Sequence, residues 1–449
     1  MYDLIILGSG PGGYVAAAKA GKAGLKTLVI EKNELGGICL NSGCIPTKTL
    51  LASAERLVDI QDAKTHGITV SGEVTFDWPN MQERKDKVVS RLNKGIEALF
   101  KQAKVEWKQG EGTVISPTEV MVGGDTFQTK NLIIATGATP LRPDIPGLLT
   151  LYDQGTALSP TELLFIQEVP KKLLLVGDHP YTIEYASLFS ALGSDVTILA
   201  PWERLLPHMD AELSDFIQKE LSRQKITIVT SAPVVEFSEK EATYQVNDEK
   251  KTVTFDVVMV SLGSEPNLMG LDALNLERNS KGFLSVDEFM RTTIPGVYAI
   301  GDVIGKYPLA HVASAEGVVA VNHILGKARP MNYHKLPMNI YSMPEVASVG
   351  LTEETAREIH GEVRVSKYFM SANGKALAEG DSKGFAKILS IPPYDEVVGI
   401  HLAGNKATDL IAEGVLALQL EATLEDLAAA VHAHPTPSEI IMEAAAGAL

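Results

Sequence analysis

Apolar residues arrive in short runs separated by alanine-rich or amphipathic stretches, the alternation expected of α/β sheet domains. The run Asp3-Leu4-Ile5-Ile6-Leu7 predicts a buried strand. Glycines follow it, then an alanine-rich helical stretch to about Ala23 and a second strand over 26–30. The same order recurs at Lys172-Leu173-Leu174-Leu175-Val176, with a helix to about Leu192 and a strand over 195–199. Two βαβ motifs of dinucleotide-binding type are therefore predicted, with Gly8 and Gly177 about 170 positions apart. Between them lie a charged helical stretch over 80–103 and a strand ending at Ala135-Thr136-Gly137. After the second motif, the run 258–262 enters the turn Gly263-Ser264-Glu265-Pro266-Asn267, and the run 297–300 enters Gly301-Asp302. From about Tyr333 the texture changes to strands, glycine-bearing loops and a final helical region.

The predicted fold class is α/β, with two Rossmann-like dinucleotide-binding domains followed by an α+β C-terminal domain. A length of 449 residues accommodates three domains. The expected boundaries are 1–144 and 263–332 for the first domain, 145–262 for the second and 333–449 for the third.

Composition changes this picture little: 45% hydrophobic and 21% charged residues describe an ordinary globular chain. The formal net charge of -16 argues against a nucleic-acid or anionic-membrane partner. No apolar run approaches the length of a bilayer span. A strand starting at Asp3 leaves no room for a leader peptide, so a cytoplasmic protein is expected. The two cysteines stand five positions apart, a spacing that favours a reactive pair over a structural staple. No metal-ligand spacing is present.

Gly8, Gly10 and Gly13 follow a strand and open a helix, the context that gives a G-x-G-x-x-G pattern meaning. The first permits a tight turn, the second close approach of a pyrophosphate, and the third close packing of helix on strand. The helix N-terminus adds free N–H groups and partial positive charge. Glu31, at the end of the second strand, can accept hydrogen bonds from ribose hydroxyls. This motif alone does not select a dinucleotide. Gly301-Asp302 points to a flavin, because an acid there can accept from a ribityl hydroxyl and a helix begins near Leu309. Taken alone, such an Asp is more often a helix cap or turn residue.

The segment Gly36-Gly37-Ile38-Cys39-Leu40-Asn41-Ser42-Gly43-Cys44-Ile45-Pro46-Thr47-Lys48 carries the chemistry. In a regular helix, Cα atoms five apart are separated by roughly 8–9 Å, whereas a disulfide spans about 4.4–6.8 Å. The pair can bridge only if the helix is distorted or starts late, and Gly43 and Pro46 supply the means. Lys48, one turn beyond Cys44, brings a positive charge that favours a thiolate.

This segment resembles the redox-active motif of the class I pyridine nucleotide-disulfide oxidoreductases, a family that includes lipoamide dehydrogenases, glutathione reductases and mercuric reductases. The resemblance extends over the chain, through Gly8, Ala135-Thr136-Gly137, Tyr298-Ala299-Ile300-Gly301-Asp302 and His434-Pro435-Thr436. It implies FAD and NAD as cofactors. It implies Cys39 as the interchange thiol, Cys44 as the thiol against the flavin, and Lys48 near the reactive flavin nitrogen. Further cofactor contacts are implied at Thr136, Gly137, Gly263 and Ala310, and in the second motif at Gly177 and Glu184. In His432-Ala433-His434-Pro435-Thr436-Pro437-Ser438-Glu439, the family's base and its acidic partner fall on His434 and Glu439, while His432 is expected to be inert. That base serves the other subunit's site, so a homodimer with a C-terminal dimerisation domain is implied. The runs Leu309-Ala310-His311-Val312-Ala313-Ser314-Ala315-Glu316-Gly317 and His432 to Thr436 resemble lipoamide dehydrogenases more than glutathione reductases. The substrate expected is therefore a lipoyl-bearing protein or another small disulfide.

The second motif departs from the pattern. In Gly177-Asp178-His179-Pro180-Tyr181-Thr182, His179 and Thr182 replace the second and third glycines. Glu31 lies 23 positions after Gly8, and the same offset from Gly177 falls on Ala200, so the ribose-binding acid is absent. Three readings follow: an NAD-dependent dihydrolipoamide dehydrogenase, a flavin disulfide reductase with another disulfide or electron partner, and a non-catalytic homologue. The complete Cys39, Cys44, His434, Glu439 set tells against the third.

Overall fold

The computed structural model describes residues 1–327 and 329–449. The chain forms two compact units, one comprising 1–49, 80–141 and 263–332, the other 50–79, 142–262 and 333–449.

In the first unit, strand β1 (Tyr2–Leu7) lies between β2 (Thr27–Glu31) and β6 (Asp125–Ile134), all parallel, with β3 (Glu106–Gln109) parallel beyond β2. The strand Val297–Ala299 extends the parallel sheet on the far side of β6. Two antiparallel strands, β5 (Glu119–Val122) and β4 (Gly112–Ser116), complete the order β3-β2-β1-β6-β5-β4. Leu4, Ile5, Ile6 and Leu7 are all buried, as befits a central parallel strand covered on both faces. Helix α1 (Pro11–Lys22) begins with Pro at its first position and ends with Lys19 and Lys22, a favourable arrangement for the helix dipole. It packs closely on the helix Ala310–Ile324, where a Cβ added at Gly317 would lie 2.7 Å from the carbonyl of Gly12.

The redox segment forms α2 (Gly37–Ser42) and α3 (Cys44–Asp62), which are separated at Gly43. Gly43 leaves the helical region with φ −142° and ψ −109°. Pro46 sits in the first turn of α3, where its missing N–H costs no helical hydrogen bond. The expected break therefore falls between the two cysteines. The charged stretch becomes α4 (Trp78–Ala103).

The second unit contains a parallel sheet in the order Thr227–Val229, Asp195–Leu199, Lys172–Gly177, Val257–Ser261 and Ala157–Leu158. The helix Pro180–Ala191 connects Lys172–Gly177 to Asp195–Leu199 and completes the second βαβ motif. A five-stranded antiparallel sheet follows in the order Pro337–Ile340, Val346–Gly350, Glu396–Ala403, Phe385–Ile391 and Arg364–Phe369. The helices Ala407–Leu420 and Glu439–Ala446 bury Ile411, Ile440 and Ile441 in the core of this region. Among the described residues no helix is long and apolar enough to cross a membrane, and no cluster of ligating side chains could hold a metal ion.

Candidate active site

The three glycines of the first motif have three distinct physical reasons. A Cβ at Gly8 would lie 2.3 Å from the carbonyl oxygen of Ala135, and one at Gly13 would lie 2.1 Å from that of Gly8. Both are demanded by packing, and Gly8 also by its φ of +95°. Gly10, the residue before the helix, has an ordinary φ of −60°, and a Cβ there would meet no protein atom within 4 Å. Neither strain nor packing explains it. The remaining reason is clearance at a helix N-terminus, where a pyrophosphate needs to approach the backbone. Glu31 is buried, with one carboxylate oxygen accepting from the N–H (2.8 Å) and hydroxyl (2.7 Å) of Ser9 and the other from the N–H of Asn33 (2.9 Å). The acid is thus held at the turn with lone pairs to spare for a ribose. Burial pushes the Asp302 carboxyl up to about 6, a group suited to a hydroxyl donor. These residues fit FAD.

Gly36 and Gly37 seat the redox helix on this turn. The Gly36 N–H donates to the carbonyl and hydroxyl oxygens of Ser9 (both 3.1 Å), and a Cβ at Gly37 would lie 2.7 Å from the Cα of Gly10. Asn41 fastens α2 by donating to the carbonyls of Leu35 and Gly37 (2.9 Å each), and its own oxygen accepts from Asn93 (3.0 Å). With the helix interrupted, Cys39 and Cys44 come within hydrogen-bond reach of one another as a dithiol. The hydrogen bond to Cys44, together with burial and the charge of Cys44, pushes the Cys39 thiol far up, while Lys48 pulls it down. The two sulfurs therefore titrate as a coupled pair. Tyr14, on the first turn of α1, lies close enough to feel both sulfurs, and burial raises its phenol.

Thr136 and Gly137 are secured by Asn267, whose carbonyl accepts from the Thr136 hydroxyl (2.6 Å) and whose amide donates to the Thr136 carbonyl (3.0 Å). The carbonyl of Gly263, at φ +120°, accepts from the N–H of Leu141 (3.0 Å). Glu316, a buried acid on the helix that starts at Ala310, accepts from the Gly301 N–H (2.7 Å) and so fixes the turn carrying Asp302.

In the second unit, His434 Nδ1 lies 2.8 Å from Glu439, whose other oxygen accepts from the Thr436 N–H (2.8 Å). That backbone hydrogen bond and His434 hold the Glu439 carboxyl below its usual range. With Nδ1 donating to the acid, Nε2 is the basic nitrogen, and the ring is exposed. His432, expected to be inert, is held by hydrogen bonds. Its Nε2 lies 2.9 Å from Glu413 and its Nδ1 lies 2.8 Å from the carbonyl of Ala430. Burial opposes its charge, but Glu413, the Ala430 carbonyl and Glu439 together outweigh burial and the net pKa is raised. Glu184 is buried and accepts from the Tyr341 N–H (3.2 Å). Gly177 keeps the first-glycine geometry, since a Cβ there would lie 2.2 Å from the carbonyl of Ser261.

Sequence reasoning missed Tyr14, Asn41, Asn267, Glu316 and Glu413. Two left a signal: Tyr14 directly follows the glycine fingerprint, and Glu316 is a lone acid in an apolar helical run.

Residues 2–317 match the model of the pyridine nucleotide-disulphide oxidoreductases, and residues 336–445 match the dimerisation domain of the same name. A dihydrolipoyl dehydrogenase from Mycoplasma pneumoniae is 40% identical over 450 aligned positions, covering 100% of this chain and 98% of that protein. The mitochondrial dihydrolipoyl dehydrogenase 1 of Arabidopsis thaliana is 40% identical over 99% of this chain and 89% of its own. Among solved structures, the HOCl-induced flavoprotein disulfide reductase RclA from Escherichia coli superposes with a TM-score of 0.87 over 99% of both chains, at 24% identity, a likeness of fold alone. The dimerisation domain makes the molecule a homodimer. On these grounds the chain belongs to the pyridine nucleotide-disulphide oxidoreductase family, as an FAD- and NAD-linked dithiol–disulfide oxidoreductase.

Proposed function

We propose that the protein oxidises dihydrolipoamide, free or carried on a protein, to lipoamide in the cytoplasm. The observation that carries this reading is the helix break at Gly43, which brings Cys39 to Cys44 beside the Gly10 turn. The relatives named dihydrolipoyl dehydrogenases support the choice of dithiol. A close cysteine pair acting as a reactive dithiol, without long-range staples, supports the compartment. The proposed division assigns 1–144 and 263–332 to FAD, 145–262 to NAD and 333–449 to the dimer interface.

His434 Nε2 removes a proton from a substrate thiol, and Glu439 stabilises the resulting imidazolium. The substrate thiolate attacks the Cys39 sulfur of the Cys39–Cys44 disulfide; a substrate–Cys39 bond forms and Cys44 leaves as a thiolate. The second substrate thiol, deprotonated in turn, attacks the substrate sulfur of that mixed disulfide. Lipoamide departs, Cys39 leaves with the proton, and the cysteine pair has gained two electrons. Held by the Gly8–Gly13 turn, Glu31 and Asp302, FAD would supply a two-electron acceptor for the cysteine pair, with NAD as the final acceptor. The positive charge of Lys48 favours a thiolate in the cysteine pair.

Spectra of the dithiol-reduced Cys39→Ser and Cys44→Ser variants test the division of labour. Both are expected to lose turnover, while the long-wavelength thiolate-to-flavin absorbance persists in Cys39→Ser and vanishes in Cys44→Ser. Identical spectra would refute the assignment. His434→Gln is expected to slow flavin reduction by about 10²–10⁴-fold, and Glu439→Gln by less.

A further inference from the structure

The two βαβ motifs are built in the same register. Each strand enters its turn at a glycine, and each connecting helix has 12 residues and begins with proline, Pro11 in one and Pro180 in the other. Pro180 is therefore not what separates them. The difference lies at three positions: the counterparts of Gly10 and Glu31, which a dinucleotide requires, and that of Gly13, which packing requires.

His179 stands where Gly10 stands, and in nearly the same backbone conformation: φ −66° and ψ 154° against φ −60° and ψ −179°. Gly10 is a glycine for clearance alone; His179 puts an imidazole on the same backbone position. The ring is stacked on Tyr181 at 5.2 Å between centroids, and Tyr181 on Tyr185 at 5.9 Å, so it is anchored by the helix that follows. Burial pushes His179 down to about 4, which leaves it neutral near pH 7 and unable to offer a pyrophosphate a positive charge. Its Nδ1 is buried without a hydrogen-bond partner.

Thr182 occupies the place of Gly13, fully buried, with its hydroxyl also lacking a partner. At Gly13 a Cβ would lie 2.1 Å from the turn carbonyl of Gly8, so a residue with a side chain at this place cannot repeat the close packing of the first motif. Ala200 takes the place of Glu31. It is fully buried and tied by its N–H to Val229 and by its carbonyl to Ala232, so no acceptor faces a ribose there. Two nearby charged groups are already engaged. Arg204 is forked onto both oxygens of Glu354 (3.1 Å each), and Glu184 accepts from Tyr341.

From His179 and Ala200 we infer that the second motif retains its fold but grips NAD loosely, with little preference for a ribose 2′-hydroxyl over a 2′-phosphate. The missing acceptor removes both a bond to the hydroxyl and the charge that repels a phosphate. An unsatisfied buried hydroxyl weakens binding by roughly tenfold to a hundredfold. The inference rests on the NAD-linked reading above, yet its test is a binding measurement that requires no turnover.

Calorimetry of the FAD-loaded dimer with NADH and with NADPH is the decisive experiment. The wild type is expected to discriminate between them by less than about tenfold, and His179→Gly to tighten both by about tenfold or more. The Ala200→Glu change is expected to restore a preference for NADH. Because Ala200 is buried, the wild-type ratio and His179→Gly carry the test if that variant does not fold. A wild-type preference for NADH of tenfold or more, or a His179→Gly variant that binds no tighter, overturns the inference. Anaerobic flavin reduction by dihydrolipoamide, which uses no nicotinamide, separately exposes any failure of the proposed function.

Discussion

A buried carboxyl illustrates how a single residue can trade stability for binding. Asp302 is raised from an ordinary 3.8 to about 6 by burial. Between those values the folded chain binds more protons than the unfolded one, so this residue's contribution to stability falls as pH rises from about 4 to 6. Asp302→Asn is therefore expected to stabilise the apoprotein at pH 7 by about 1–3 kcal/mol. It should add nothing below about pH 4, and it should weaken retention of FAD. Urea denaturation at the two pH values and flavin content after gel filtration check this; equal stability at pH 7 would remove the burial argument. The sequence placed Asp302 after a strand, but its burial depends on the sheet and the helix Ala310–Ile324. The same limit applies to His432, a loop residue whose partner Glu413 lies on a helix 19 positions away.

At the scale of elements, the glycine fingerprint separates into structural and functional positions. Gly13→Ala puts a methyl 2.1 Å from a carbonyl oxygen and is expected to destabilise the apoprotein by about 2–4 kcal/mol. Gly10→Ala meets nothing within 4 Å at an ordinary φ, so the apoprotein should keep its stability to within about 0.5 kcal/mol. FAD affinity, measured by fluorescence titration, should nevertheless fall in Gly10→Ala. Comparable destabilisation in both variants would contradict this separation. A G-x-G-x-x-G pattern reveals the turn, but not which glycine serves the fold and which the ligand. The helix break was more accessible, because helical rise and radius alone forbid a bridge between positions five apart. Gly43 interrupts the helix where that constraint requires it.

At the scale of the whole molecule, the proposed site draws its cysteines from one subunit and its base from the other. Mixed dimers of Cys44→Ser and His434→Gln subunits test this directly. In a shared-site dimer, one of the two sites in each mixed molecule combines an intact cysteine pair with an intact histidine. Dissociating and reassociating equal amounts of the two inactive variants should recover about a quarter of wild-type activity. No recovery, with mixed dimers demonstrated by mass, would mean that each site is complete within one chain.

Local order was determined by the sequence itself. Apolar run lengths marked the strands, including one observed at Asp195–Leu199 as expected. The glycine turns marked the helix starts, and the cysteine spacing marked the redox helix. Each of these follows from steric and hydrogen-bonding rules acting over a few residues, so the pattern is present in the chain before it folds. Tertiary structure decided the rest, because the partners are distant in sequence. Asn267 holds Thr136 across 131 positions, and Glu316 fixes Gly301 across 15. Glu31 reaches Ser9 across 22, and the coupled titration of Cys39 and Cys44 depends on how deeply the sheet and helices bury them. Clearance at Gly10 and the stacking of His179 on Tyr181 are likewise properties of packed space, which no residue specifies without its neighbours.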